Sequence, residues 1–235
     1  MKTDISLAAP AILFVFISLQ ANAQDRQVRD VDNFTGISVG GGINLFVEQG
    51  DEFSVEVEST RGDPDDVITE VDDGNLVIRE ARSIFRFGIM HWFSSHSVHV
   101  TLPDLESLSV SGGSDAIVDG VFTGEELDLS TSGGSGTTIN VEMDTVDIAA
   151  SGGSDIDIAG KAGSVTVRAS GGSDVDALRF TADEANLTAS GGSDIAITVV
   201  DRITATASGG SDITYSGNPG YEDINESGGA DVNKR

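Results

Sequence analysis

Aspartate is the residue of this chain whose placement most clearly suggests chemistry, because it returns at one position of a repeated pentapeptide. The pentapeptide is Ser-Gly-Gly-Ser-Asp, and its seven copies begin at Ser111, Ser132, Ser151, Ser170, Ser190, Ser208 and Ser227. The aspartates are Asp115, Asp155, Asp174, Asp194, Asp212 and Asp231; Gly136 stands in their place in the second copy, and Ala230 replaces the second serine of the last. Carboxylates repeated in this way can accept hydrogen bonds from turn amides or coordinate calcium.

These two uses of the aspartates require different spacings. Gly-rich β-roll repeats bind calcium with one acidic corner in about nine residues, whereas the copies here begin 18 to 21 residues apart. Neighbouring carboxylates about 5 Å apart repel by roughly 1 kcal/mol in water, and Asp157 and Asp176 add two more. The spacing favours turn capping, and calcium held by the six aspartates is the alternative.

Catalytic chemistry has little support in the residue pattern. Carboxylate pairs can hydrolyse glycosidic bonds, but these aspartates belong to a repeated column, whereas an active site should interrupt a repeat. The three histidines, His91, His96 and His99, are the natural zinc candidates, and their spacing fits no familiar zinc site. We therefore expect a non-catalytic protein without catalytic residues, with a polysaccharide-active enzyme as the remote alternative.

The residues that flank each pentapeptide predict the strands that position the aspartates. Apolar or small residues stand one, three and five positions before the first serine, as in Val146, Ile148 and Ala150, and alternate positions after the aspartate are apolar again, as in Ile156 and Ile158. This period of two is typical of strands with one buried face. Each unit is thus a strand, a Gly-Gly corner, a second strand and a looser turn, such as residues 160–163 or 217–220.

Two short strands cannot bury a face alone, so neighbouring units must stack. The near-constant period predicts an all-β, right-handed parallel β-helix with coils of about 19 residues. Seven coils at the spacing of hydrogen-bonded strands give a rod roughly 30–35 Å long. An antiparallel meander, in which every second hairpin carries the motif, is the competing architecture.

The sequence predicts a leader, one domain and an aromatic insert within that domain. Residues 1–23 have an apolar run followed by Ala21-Asn22-Ala23, which predicts a signal peptide and export to the periplasm, cell surface or medium. Residues 24–235 then form a single domain, with N-terminal strands and a cap in 24–105 and the repeats in 106–235. The aromatic insert at 81–97 is either an apolar lid on the coil or a partner-binding loop with Phe87, Trp92 and Phe93 as anchors.

Composition restricts the partners. The chain has 39 acidic and 13 basic residues, a net charge of −26, and no cysteine. Nucleic acids and anionic membranes require clustered basic residues, so neither is expected as a partner. We expect neither disulfides nor a lipoprotein anchor, and no membrane span after the signal.

Three features together carry a resemblance to a known family: Gly42-Ile43-Asn44 near the mature N-terminus, the step Leu102-Pro103, and the register of the Ser-Gly-rich turns. With these, residues 28–232 resemble the bacterial putative auto-transporter adhesins with a head GIN domain. The resemblance implies a β-helix of pectin-lyase-like appearance and a role in cell adhesion. Its implied partners are cell-surface or glycan ligands, or further copies of the chain in a trimer or other homo-oligomer. It implies no catalytic residue and no cofactor apart from the calcium considered above.

Overall fold

The computed structural model describes residues 25–81 and 95–235, which form seventeen β-strands and one 3-10 turn at Pro64–Asp66. The predicted signal peptide and most of the aromatic insert lie outside the described residues. The strands are β1 (Asp25–Arg29), β2 (Gly36–Gly40), β3 (Asn44–Gln49), β4 (Ser54–Arg61), β5 (Val67–Asp72), β6 (Asn75–Glu80), β7 (Ser95–Leu102), β8 (Ser107–Ser111), β9 (Asp115–Asp119), β10 (Phe122–Ser132), β11 (Gly136–Ser151), β12 (Asp155–Gly171), β13 (Asp174–Gly191), β14 (Asp194–Gly209), β15 (Asp212–Ser216), β16 (Tyr221–Gly228) and β17 (Asp231–Lys234).

The pentapeptides form the corners between two parallel ladders. In the ladder before the corner, the residues that precede the first serine pair from coil to coil, as Val146 does with Val165 and Ile148 with Val167. In the ladder after the corner, Ile195 pairs with Val175 and Ile213. The aliphatic residues of each column are buried, because their side chains point into the interior of the coil and stack on those of the neighbouring coils. The predicted all-β solenoid is confirmed, and the meander is wrong because these strands run parallel.

The turn predicted at residues 160–163 is wrong. Gly160, Lys161 and Ala162 are part of β12 and pair with Val141–Met143 of β11 and with residues 180–182 of β13. The chain stays extended here because both neighbouring coils supply backbone partners, which adds a third ladder to the coil. Gly160 allows the close approach, since a Cβ on it would lie within 2 Å of the Val141 carbonyl oxygen. The turn predicted at 217–220 is present.

The N-terminal strands lie at one end of the stack, but not in chain order. The coil of β2 and β3 pairs with β8 and β9 on one side and with β6 and β7 on the other. The coil of β6 and β7, which comes later in the chain than β2 and β3, therefore lies further from the repeats. Antiparallel pairing then replaces the parallel ladders, since β5 pairs with β6, and β4 and β1 follow β7.

Local turn chemistry explains this end of the stack. The hairpin of β5 and β6 turns at Asp73 and Gly74, whose φ angles of 48° and 77° are those of a type I′ turn. The 3-10 turn begins at Asp63, whose carboxylate accepts a hydrogen bond from the Asp65 amide. Within the described residues, no helix is long and apolar enough to cross a membrane.

Candidate functional site

The six predicted aspartates lie in one column along an edge of the stack. Residue pairing takes the column from Asp115 through Gly136 to Asp155, and onward through Asp174, Asp194 and Asp212 to Asp231. All six are exposed, and paired residues in adjacent strands are about 4.8 Å apart. The structure therefore brings these residues together in a row, which we call the Asp column.

Carboxylates of the Asp column bind the coil that follows them. Asp115 Oδ1 accepts a hydrogen bond of 3.0 Å from the Gly136 amide, and Asp194 Oδ1 accepts one of 3.3 Å from the Asp212 amide. The pKa of Asp174 is raised, first by partial burial and then by the charges of Asp194 and Asp155, although the Asp194 amide opposes the shift. The aspartates thus connect successive coils while repelling one another.

Gly136 interrupts the Asp column and lies close to the preceding carboxylate. A Cβ at this position would lie 2.8 Å from Asp115 Oδ1, in the space that this carboxylate uses to reach the Gly136 amide. A shallow groove of about 480 Å³ runs beside the interruption and is bordered by Asp155 and Asp174.

Sequence reasoning missed the residues that bind within the corners. The fourth position of the pentapeptide is buried in every copy, with Ser114, Ser135, Ser154, Ser173, Ser193 and Ser211 at most 2% exposed. We call these six residues the serine ladder. In the sequence, serine recurs at this position in every copy until Ala230, and this recurrence could have indicated burial. It did not distinguish a buried serine from an exposed one, because exposed turns also contain serine beside glycine.

Each serine hydroxyl satisfies backbone groups that the tight corner would otherwise leave unpaired. Ser173 Oγ accepts from the Ser170 amide at 3.2 Å and lies 3.0 Å from the Ser170 carbonyl and 3.2 Å from the Ala150 carbonyl of the preceding coil. Ser193 repeats this arrangement with Ser190 and Ala169. Hydrogen bonds from corner amides to aspartate, which the sequence predicts, occur between coils at the Gly136 and Asp212 amides. Within a single corner the buried serine is the acceptor.

A second acidic group lies on the ladder before the corner. Carboxylate oxygens of Glu126, Asp128 and Asp147 lie within 4.8 Å of one another, and this is the grouping of three potential metal ligands found among the described residues. The Arg168 guanidinium lies 3.9 Å from Asp147. Asp128 and Asp147 each stand four residues before a pentapeptide, so their alignment was visible in the sequence, whereas the approach of Glu126 was not.

The histidines take separate roles. His96 is buried, and its Nδ1 lies 2.7 Å from Ser59 Oγ. His99 faces outward as its alternation predicts, stacks on Phe46 with ring centroids 4.9 Å apart, and lies 3.8 Å from Glu58. His91 lies outside the described residues, as do the predicted partner-binding residues Phe87, Trp92 and Phe93.

The Gly-Ile-Asn segment forms a corner of the same type as the pentapeptides. Gly41 and Gly42 have φ angles of 92° and 78°, and the amides of Gly42 and Ile43 both donate to Ser114 Oγ at 3.1 Å. Asn44 pairs with Asp115 and so begins the Asp column with an uncharged residue. This coil joins the repeats to the antiparallel end of the stack.

Comparison with known proteins identifies the family of the chain. The family model described as "Putative auto-transporter adhesin, head GIN domain" matches residues 33–219. The chain belongs to this family. A search of curated proteins found no match.

Solved structures from two bacterial genera share the fold. A putative adhesin from Bacteroides fragilis is 18% identical, with a TM-score of 0.80 over 92% of this chain and 98% of that one. A putative adhesin from Parabacteroides distasonis is 21% identical, with a TM-score of 0.67 over 90% and 97%. A putative lipid binding protein from the same species is 17% identical, with a TM-score of 0.62 over 90% and 96%. At these identities the likeness concerns the fold.

Proposed function

We propose that this head GIN protein is an exported, non-catalytic module that adheres to surfaces through the outer faces of its solenoid. The observation that carries the proposal is the repetition of outward side chains from coil to coil, since the Asp column runs in register from Asp155 through Asp174, Asp194 and Asp212 to Asp231. Family membership supports adhesion, and the predicted signal peptide supports export. Suitable ligands are cell-surface glycans or another copy of the chain.

Two of the outer faces differ enough to be tested separately. The face after the corner carries the Asp column, whereas the face before it presents mainly neutral side chains in the later coils, among them Thr166, Asn186 and Thr204. A charged surface and a hydroxyl-rich surface favour different ligands. Binding through one face should therefore be insensitive to changes on the other.

Adhesion can be measured with the purified protein on a glycan array and on intact bacterial cells. One variant carries Asp155→Asn, Asp174→Asn and Asp194→Asn, and its counterpart carries Thr166→Asp, Asn186→Asp and Thr204→Asp. We expect binding that falls at least tenfold in one variant and stays unchanged in the other. Absence of binding by the wild type to glycans, cells and itself would contradict adhesion, and turnover of a polysaccharide would contradict the non-catalytic role.

Calcium stabilisation is a second candidate function, and the group of Glu126, Asp128 and Asp147 favours it. Oxygen ligands from several carboxylates are what calcium requires, and these three already lie within 4.8 Å of one another. The Asp column, the alternative calcium site suggested by the sequence, supplies a row of carboxylates in place of such a group. Calcium at either position would relieve repulsion between acidic side chains.

Thermal melting in chelator and in millimolar calcium tests this candidate. If calcium binds, the midpoint should rise by several degrees, and Asp128→Asn should abolish the rise if the group of three holds the ion. Asp174→Asn should abolish it if the Asp column does. An identical midpoint in both buffers would exclude calcium stabilisation without affecting the adhesion proposal.

A further inference from the structure

The last coil of the stack differs from the others at its inward positions. It consists of β16 and β17, which pair with β14 and β15 and with no strand on their other side among the described residues. Glu222, Ile224 and Glu226 stand in register with Ile203, Ala205 and Ala207, which are completely buried. Charged side chains thus occupy two columns that are aliphatic in the coil below.

The inward positions of β17 complete the change. Val232 stands over Ile213, and Lys234 stands over Tyr215, so three of these five columns end in a charge. Lys234 Nζ lies 3.0 Å from Glu222 Oε1, which joins the two strands across the open end of the coil. Beneath this pair Tyr215 is buried and hydrogen-bonded to Glu222, and the Lys234 ammonium lies 5.8 Å from its ring centroid.

Glu226 closes the other side of the coil. Its Oε1 accepts a hydrogen bond of 2.7 Å from the Val232 amide, so the carboxylate is held over the interior near the final corner. Ile224, between the two glutamates, remains 36% exposed. The end surface is therefore a small apolar centre surrounded by charges that interact with one another.

We propose that Glu222, Glu226 and Lys234 form a charged cap that prevents the last coil from pairing with the last coil of a second copy. Apart from the Val232 amide, which donates to Glu226, the outer edges of β16 and β17 present backbone N–H and C=O groups along strands of eight and four residues, which is a template for strand addition. Two such edges could pair antiparallel about a two-fold axis. The pairing would bury two Glu222–Lys234 pairs and two further carboxylates, and this desolvation opposes it.

The partner that the cap excludes is a second copy of the chain, because without the charges this end surface could pair with itself. Aliphatic residues at these three positions would continue the columns of Ile203, Ala207 and Ile197, producing a flat apolar end with an unpaired edge. The opposite end of the stack is covered by antiparallel β1, β4 and β5. Because pairing about a two-fold axis closes on itself, association through this end would stop at a tail-to-tail dimer. The cap limits self-association to the outer faces used in the proposed adhesion, and it does not depend on that function.

The test compares two triple variants by analytical ultracentrifugation at neutral pH. Glu222→Val, Glu226→Ala and Lys234→Val together remove the cap, and Asp223→Val, Asn225→Ala and Asn233→Val change the outward residues of the same strands. Both sets change the net charge by one unit in the same direction. We expect the first variant to double its mass with increasing concentration, and the control to keep the mass of the wild type.

Hydrogen exchange locates the contact. In the first variant the amides of β16 and β17 should gain protection with concentration, while those of the wild type and the control should not. If the variant folds poorly, Glu222→Met, Glu226→Met and Lys234→Met keep the side-chain length over Tyr215 and should associate in the same way. A folded, uncapped variant that shows no added mass, or protection of β16 by self-association in the wild type, would overturn the proposal.

Discussion

At the first glycine of each pentapeptide, the backbones of successive coils touch. Gly171 and Gly191 both have a φ of 84°, which side-chain-bearing residues rarely adopt. A Cβ on Gly171 would lie 3.0 Å from the Gly152 nitrogen, whereas one on Gly172 would meet nothing within 4 Å. The two glycines of this corner are therefore unequal, since Gly171 permits both the turn and the stacking.

Gly171→Ala should lower the free energy of unfolding by about 2 kcal/mol or more, from the strained φ and the contact with Gly152. Gly172→Ala is the matched control and should change it by less than about 0.5 kcal/mol. Chemical denaturation of both variants measures the difference. Equal losses would mean that the corner demands glycine only for general flexibility.

Ser173→Ala tests the serine ladder at a completely buried position. The change leaves the Ser170 amide without its acceptor and removes the hydroxyl donor near the Ala150 carbonyl. We expect a loss of about 1–3 kcal/mol, the cost of unsatisfied buried polar groups. Ser170→Ala, whose side chain is exposed, should be close to neutral in the same denaturation experiment. A neutral Ser173→Ala would show that the corner amides find other partners.

At the scale of the strand and the column, in-register stacking sets both the stability and the electrostatics. A raised pKa means that folded Asp174 keeps its proton to a higher pH than the unfolded chain does. Its ionisation therefore lowers stability as pH rises from the ordinary value of 3.8 through the folded pKa. Below that window both states are protonated and the penalty is absent.

Asp174→Asn should consequently stabilise the protein at pH 7, by less than about 1 kcal/mol because the carboxyl is largely exposed and screened. The gain should shrink in high salt and disappear below about pH 3. Asp183→Asn removes the same charge from the same strand outside the Asp column and should give no gain. Melting curves of the wild type and both variants at pH 3 and pH 7 measure this gain. A destabilised Asp174→Asn variant at pH 7 would contradict the repulsion between the carboxylates.

How much of this could be predicted depends on whether a feature is local. Alternation around Val146 and Ile156 identified the strands, and the fixed period aligned the Asp column, because each is a property of neighbouring residues. The outer position of β6 and β7 was not visible, since it depends on pairing between distant segments. The third ladder was missed because Gly160 and Gly163 look like turn residues, although Gly160 serves a close backbone approach. Burial of Ser173 depends on which way a corner residue points, which composition does not determine.

At the scale of the whole molecule, stability is shared among coils that contact only their neighbours. The parallel ladders run from the coil of β6 and β7 to the coil of β16 and β17, and the antiparallel strands and the charged cap form different ends of the stack. In such a solenoid the total is approximately a sum of coils and of the interfaces between them. Whole coils should therefore be removable, whereas parts of a coil should not.

Deletion of residues 155–193 tests this additivity. It joins Ser154 to Asp194, restores Ser-Gly-Gly-Ser-Asp at the junction, and places Ile203 over Val146 in the column they already share. The deletion also removes both Gly160 and Phe180, a small and a large residue that pair in one column. We expect a folded protein with a cooperative, lower melting transition by circular dichroism. Deleting only residues 155–184 removes fewer residues but joins a corner to Ala185, so one ladder loses a strand and the cooperative transition should vanish. If the shorter deletion melts as well as the longer one, the coil is not the unit of stability.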